Sequence, residues 1–513
     1  MKRSSSVAAC ASFIIAFSLA VVSASPAVAA PAAAPNISVT VDDLAIAFDV
    51  PLQRENDRVL VPFRAISEAL GVKVEWVPAE RGIIATRPAS ADGPAVEVRL
   101  WIDRPAALVN GQEQPLDVPP RLVSDRTFIP GRFFATAFGC AIDWDQTAQR
   151  VLITTPERTM TVYAFYALGN SKASSWTDLF GLPYPDADLA TAHQRLLSGV
   201  GYGWYNIDDN GRLRADNPLP GWNKPSGWDN VLLMSDRAGL ADEMVVYASD
   251  SQGRIAALLG DEQDLTALRA AIVSEADLYN GVNLDWEELG RGADGAAQAV
   301  TRTRYAEFVK RLSADLTAKG KTLTVTVPPA NSAFAAAYDY AALVAAADRL
   351  VLMAYDYYDR SLPSPPAPLA KVDETIEALL AQGIPAGKVL LGIAPGGVEW
   401  RTQPTLSRAN PLPASDVASL KARAALTWDA AAQANWFTYQ DAAGSTYQVW
   451  LEDGQSVARK IALAKRYGLR GIAIWRLGEV PADVWDAVDR ATRPERSAPV
   501  EATPAAPPIP PQY

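Results

Sequence analysis

The stretch Tyr279-Asn280-Gly281-Val282-Asn283-Leu284-Asp285-Trp286-Glu287-Glu288 decides how the chain is read. In an extended strand, alternate side chains share a face. Asn283, Asp285 and Glu287 then point one way, and Val282, Leu284 and Trp286 the other. The apolar set is suited to packing against helices, which leaves two carboxylates and an amide facing the interior. Unpaired charges there cost on the order of several kcal/mol each unless a partner or a reaction uses them. The stretch itself contains no Lys or Arg. It therefore reads as a strand that carries chemistry. Glu288 turns to the opposite face and is expected to be a surface or helix-start residue.

From Thr161 to about Arg493, short apolar runs alternate with amphipathic stretches, the pattern of a parallel sheet with helical crossovers. Strands are expected at Val162–Tyr166, Tyr202–Asn206, Met244–Ala248, Gly281–Glu287, Leu323–Val327, Leu350–Tyr355, Val389–Ile393 and Ile472–Trp475. Helices are expected between them, for example over Thr303–Lys319 and Val372–Gln382. Eight strands predict an α/β fold, a (β/α)8 barrel over residues 160–493. The carboxylates would then lie near its C-terminal mouth. Between strands seven and eight, Trp436–Tyr439 and Tyr447–Leu451 read as a hairpin around Gly444.

The first third is duplicated. Asp49-Val50-Pro51 recurs as Asp117-Val118-Pro119, Asp57-Arg58 as Asp125-Arg126, and Val61-Pro62 as Ile129-Pro130. Arg64, Gly71 and Trp76 answer to Arg132, Gly139 and Trp144, and every pair is 68 positions apart. Each unit predicts a strand pair, a short helix (Phe63–Leu70; Gly131–Phe138), a Gly stop and a strand ending in Trp. A small duplicated α+β module is expected over 36–156. Trp76, Trp144, Arg64 and Arg132 are expected to pack and pair within their own units.

Residues 1–30 have the pattern of an export signal: Lys2 and Arg3, an apolar run from Phe13 to Val22, and Ala27-Val28-Ala29 for cleavage near Ala29-Ala30. The run is too short to span a membrane securely, so no membrane insertion is expected after cleavage. Removing this segment also removes Cys10. Cys140 is then expected to be a buried thiol without an intrachain disulfide. The Pro/Ala-rich end, 494–513, is expected to be an extended or disordered tail. Composition narrows the chemistry. With 47 Lys+Arg against 58 Asp+Glu the net charge is −11, which argues against a general nucleic-acid binder. One histidine, His193, lies in a polar helical stretch and reads as a solvated helix face. It leaves little room for His-dependent triads or His-rich zinc sites. Carboxylates and aromatics are the remaining candidates.

Asn280-Gly281-Val282-Asn283-Leu284-Asp285-Trp286-Glu287 resembles the D-G-x-D-x-D-x-E strand of glycoside hydrolase family 18, the chitinase-like hydrolases. Met353-Ala354-Tyr355-Asp356-Tyr357 and Gly471-Ile472-Ala473-Ile474-Trp475 resemble that family's sixth and eighth strands. The continuation Arg476-Leu477-Gly478 is similar to its spore-cortex and wall-associated branch. The resemblance implies a retaining, substrate-assisted glycosidase without metal or organic cofactor. Glu287 would be the general acid/base. Asp285 would hold the substrate's acetamido N–H, and Tyr355 its oxygen. Trp475 would form the floor of the sugar site, with Met353, Asp356 and Asn283 completing it. The two Asn residues depart from the family pattern, because an amide at 283 can hydrogen-bond but cannot ionise. The spore-cortex branch is similar in carrying Asn there. Leu60-Val61-Pro62-Phe63-Arg64 through Trp76 resembles the copper amine oxidase N-terminal-like domain, which implies a spacer or cell-wall attachment role. Copper is not implied, since this segment has no His.

The expected partner is an N-acetylglucosamine-containing polysaccharide, peptidoglycan or chitin, met outside the cell or at the wall. Trp204, Trp222, Trp228, Trp400, Trp436 and Trp450 are candidates for sugar-stacking surfaces, whereas Trp286 is expected in the core. The alternative is a non-catalytic lectin that keeps the barrel.

Overall fold

The computed structural model describes residues 37–494, apart from 42–43, 47, 56–57, 88, 90–93, 124–125, 157, 170–173, 217–222, 251 and 413. The export-signal segment with Cys10, residues Asp57, Asp125 and Trp222, and the tail beyond Pro494 lie outside the described residues.

The two N-terminal units are joined across their duplicated positions. Strand Arg58–Pro62 runs antiparallel to its counterpart Arg126–Pro130, with Val61 opposite Ile129. Helices α1 (Phe63–Ala69) and α2 (Gly131–Ala137) follow directly, as the Pro-led repeats predict. The ion pairs also cross between the units: Arg58 with Asp117 at 2.6 Å and Arg126 with Asp49 at 2.8 Å. Arg64 and Arg132, the arginines expected to pair inside their own units, are in no ion pair among the described residues. Arg64 and Arg132 are exposed, and Trp76 is 41% exposed instead of packed. The shared core takes residues from both halves, among them Val61, Ile66, Ile129, Phe134 and the buried Cys140, which is in no disulfide.

The rest of the chain closes a barrel of eight parallel strands: β1 (Arg158–Tyr166), β2 (Gly199–Ile207), β3 (Ala241–Ser249), β4 (Gly281–Glu287), β5 (Thr322–Val327), β6 (Arg349–Leu352), β7 (Val389–Ile393) and β8 (Gly471–Ile474). Strand β1 pairs with both β2 and β8, which shuts the ring. The expected strands overlap these, except that β6 stops at Leu352 and β8 at Ile474, short of Tyr355 and Trp475. Met353 to Tyr355 continue beyond β6 in irregular backbone, with the Met353 amide on Val327 O at 3.0 Å. The large outer core lies between strands and helices. A separate inner core of Tyr163, Phe165, Val245, Val351, Leu390 and Ala473 plugs the barrel. Gly201 makes room for this plug, since a Cβ there would overlap the Tyr163 hydroxyl. Between β7 and β8 the expected hairpin (Ala434–Gln440 with Thr446–Glu452) is the centre of a five-stranded antiparallel sheet. Among the described residues, no helix is long and apolar enough to cross a membrane.

One buried carboxyl makes stability depend on pH. Asp242, the second residue of β3, is 3% exposed, with Ser235 Oγ donating to it at 2.5 Å. Burial outweighs that hydrogen bond and pushes its pKa up to about 8. The fold therefore prefers the neutral acid, whereas the unfolded chain ionises near about 4. Stability falls as pH rises from the lower value to the higher one. Asp242→Asn keeps an oxygen for Ser235 and removes the ionisation. It is expected to raise Tm at pH 8 and to leave it nearly unchanged at pH 4, measured by calorimetry at both pH values.

Candidate active site

Strand β4 sits as its alternation predicts. Trp286 is fully buried on the outer side, stacked on Tyr305 and Phe308 of helix Gly295–Ala318 with ring centroids at 5.4 and 5.0 Å. Tyr338 donates to the Trp286 carbonyl at 2.6 Å and fixes the strand end. The polar face then lies inside the barrel, where its residues fall into layers.

At the base, Glu243 is fully buried and receives Arg349 at 2.7 Å and Thr324 at 2.8 Å. This ion pair lies below the β4 carboxylates, beside the start of β4. Asn280, at the start of β4, accepts the Asp242 backbone amide at 2.7 Å and clamps β3 to β4. One layer up, Asn283 is fully buried. Its Nδ2 donates to Tyr163 at 3.3 Å, and its Oδ1 accepts Thr326 at 2.9 Å. Both ends of the amide are thus engaged within its own layer.

Asp285 comes next, 3% exposed, and its Oδ1 is buried with no hydrogen-bond partner. Glu287 is half-buried above it. No ion pair reaches either carboxylate among the described residues. Burial, and then the Glu287 charge, push the Asp285 pKa far above the usual carboxylate range. Burial, Glu288 and Asp356 push Glu287 up to about 7. The pair thus keeps a proton near neutrality, which suits one member to proton donation while the other stabilises positive charge.

The sixth-strand motif supplies the opposite wall. The Tyr355 phenol is raised by burial and by the charges of Asp285 and Glu287, which places it in the same electrostatic field. Gly392 on β7 allows its close approach, because a Cβ there would stand 2.9 Å from the ring. Met353 is half-buried below it. Asp356 follows in the left-handed region at φ 60° and is exposed. Trp475, just past β8, is half-buried and lies edge-on to Phe165 at 5.3 Å, on top of the inner plug.

The sequence reading missed Tyr247. It stands opposite Asp285 on β3, half-buried, and its phenol is raised by burial, Glu287 and Asp285. Its alternation with Val245 on β3 was the available signal. Of the two expectations for Glu288, a surface position or a helix start, the second fails: it is partly exposed in a bend at φ 57°, paired with Arg291 at 2.6 Å and accepting Ser249 at 3.1 Å. Three candidate stacking residues are core. Trp204 packs on Tyr202 and Tyr166, Trp400 on Tyr358, and Trp450 is 8% exposed beside Trp436. Trp436 and Trp228 are half-buried, the latter under Lys224 Nζ at 3.7 Å. His193 is only partly solvated: its ring stacks on Trp485 at 4.5 Å, and Nδ1 meets Asp178.

Comparison with known proteins agrees with this architecture. The copper amine oxidase N-terminal domain model matches residues 40–153. The cortical fragment-lytic enzyme of Bacillus subtilis is 30% identical over 297 residues, covering 55% of this chain and 65% of that protein. The Bacillus anthracis protein of the same name is covered over 43% of its length. The chain thus spans less than two thirds of these curated relatives. A chitinase from Chromobacterium violaceum superposes with TM-score 0.53 at 26% identity, over 65% of this chain and 98% of that one. The spore cortex-lytic enzyme SleL of Bacillus megaterium shares the fold, with TM-score 0.57 at 21% identity over 72% of this chain and 83% of that one. The model for glycosyl hydrolases family 18 matches residues 221–479, which is half of the sequence and contains β4, the Tyr355 segment and Trp475. The chain belongs to glycosyl hydrolases family 18.

Proposed function

We propose that this protein is an exported glycoside hydrolase that cleaves β-1,4 bonds next to N-acetylglucosamine, in peptidoglycan in preference to chitin. The observation that carries the reading is the Asp285–Glu287 pair at the barrel mouth: two inward carboxylates with raised pKa values and no cationic partner among the described residues. Export rests on the basic-apolar-small pattern of the first thirty residues. The preference for wall glycan rests on the likeness to cortical fragment-lytic enzymes and on the duplicated module, whose proposed task is wall association.

In the proposed reaction the Glu287 carboxyl donates its proton to the glycosidic oxygen as the C1–O bond breaks. The substrate's own acetamido carbonyl oxygen bonds to C1 and forms an oxazolinium ion. Asp285 accepts a hydrogen bond from the acetamido N–H and offsets the positive charge. Tyr355 donates to the acetamido oxygen and orients it for attack. Water, deprotonated by the Glu287 carboxylate, then opens the oxazolinium at C1, and the configuration is retained. Trp475 supplies an apolar surface for the sugar ring, with Met353 and Asp356 at its edge.

The test is to incubate the protein with purified peptidoglycan and with chitin oligosaccharides, reading products by mass spectrometry and the nascent anomer by proton NMR. The expected result is products ending in N-acetylglucosamine, first appearing as the β-anomer, from peptidoglycan. Glycan binding without cleavage of either polymer would replace this reading by the lectin one.

The charge on Glu288 holds the Glu287 pKa up. Glu288→Gln removes that repulsion, so Glu287 loses its proton at lower pH. The basic limb of the kcat/KM profile is expected to move toward lower pH, with activity at pH 5 little changed. A limb that stays in place would mean that Glu287 does not set it.

A further inference from the structure

The duplicated module contains a cavity of about 580 Å³, within the size range of small-ligand sites. It lies between the central strand Arg58–Pro62, helix α2 and the sheet containing Ala141–Asp145. Val59, Val61, Ile142 and Val151 give it an apolar floor, and Phe133 and Trp144 add aromatic surface.

The repeat explains why this cavity opens beside helix α2. Position 131 is Gly where the first unit has Phe63, whose ring is 9% exposed and packs against Phe134 at 5.8 Å. A Cβ on Gly131 would stand 3.2 Å from a Val61 methyl, so a side chain there begins against the groove floor. Val151 is half-buried, whereas its counterpart Ile83 is 1% exposed.

Two features define the occupant. The first is charge. Arg54, Arg58 and Arg132 line the groove in a chain of net charge −11. Arg58 is engaged by Asp117, and the groove's other acid, Asp143, accepts the Trp144 backbone amide at 2.8 Å. Arg132 is exposed and has no ion pair among the described residues. The second is backbone. Gln53–Glu55, which carries Arg54, and Ala141–Asp145, which carries Ile142 and Trp144, are each the edge strand of their sheet. Edge strands can hydrogen-bond an added extended chain. Thr136, Gln146 and Gln149 place further polar side chains along the groove. An acyl chain would use the floor and one arginine but none of these amide partners.

We propose that this groove is a second binding site, which takes a short extended peptide with small aliphatic side chains and a free carboxylate. The carboxylate is held by Arg132. The inference does not depend on the glycosidase reading, because it concerns a different module.

The test titrates the full chain calorimetrically with acetyl-Ala-Val-Ala, with its C-terminal amide and with octanoate. The free acid is expected to bind at least tenfold more tightly than either of the others. Arg132→Gln should abolish the difference between acid and amide. Gly131→Phe, which restores the first unit's residue, should abolish binding without changing glycan hydrolysis. Equal binding of acid and amide, or tighter binding of octanoate, would overturn the proposal. So would no heat at millimolar acid, or undiminished acid binding by folded Gly131→Phe. If Gly131→Phe fails to fold, the exposed Arg132→Gln decides: acid–amide discrimination that survives overturns the proposal.

Discussion

Glu287→Gln is expected to lower kcat by about 10³-fold, the usual contribution of a general acid/base, with KM nearly unchanged. The amide has almost the shape of the carboxyl but cannot supply a proton to the leaving oxygen or take one from water. Its neighbours are undisturbed, since Glu287 is in no ion pair among the described residues. Removing a carboxyl whose pKa burial pushes up to about 7 also removes a cost of folding above that pH, so Tm should hold or rise. A nitrophenyl glycoside gives the sharper measurement. Its leaving group departs without full protonation, so the variant should lose much less on it than on a natural glycosidic bond. A kcat within about tenfold of the parent on the natural bond would remove Glu287 from the acid role, given what such groups usually contribute.

Asp285→Asn is expected to cost about 10²–10³-fold in kcat, the scale on which loss of preorganised charge stabilisation acts. Here the nitrophenyl substrate should give no relief. The missing interaction is with the acetamido group and the oxazolinium charge, not with the leaving group. Asp285 is almost completely buried, and its Oδ1 has no partner, so the carboxylate is held at the expense of the fold. The asparagine variant should therefore be more stable above neutral pH while turning over more slowly. Tm and kcat moving in opposite directions would separate a functional charge from a structural one. Equal activity on N-acetylated substrate would show that Asp285 does not contact the acetamido group.

The charge on β4 was legible because strand periodicity is a local property. Alternation alone separated Trp286 from Asp285 and Glu287, and their placement on the two sides of the barrel wall follows from it. The eight alternating apolar runs were enough for the barrel, and the 68-residue spacing was enough for the duplicated module. These features depend on side chains a few positions apart, or on a pattern repeated along the chain.

What the tertiary structure decided depends on residues far apart in sequence. It spent Arg349 on Glu243 and left the Asp285–Glu287 pair without a cationic partner among the described residues. It locked Asn283 between Tyr163 and Thr326, brought Tyr247 opposite Asp285, and buried Trp204 and Trp400 in hydrophobic cores. It also joined the repeats through Arg58–Asp117 and Arg126–Asp49, each pair linking one unit to the other. Periodicity records which face a side chain occupies, but a pKa, an ion pair or a stacking surface depends on what the fold brings to that face from elsewhere. The sequence by itself therefore determined the strand that carries the carboxylates, and only the closed barrel decided that they would be buried side by side, with their pKa values pushed up.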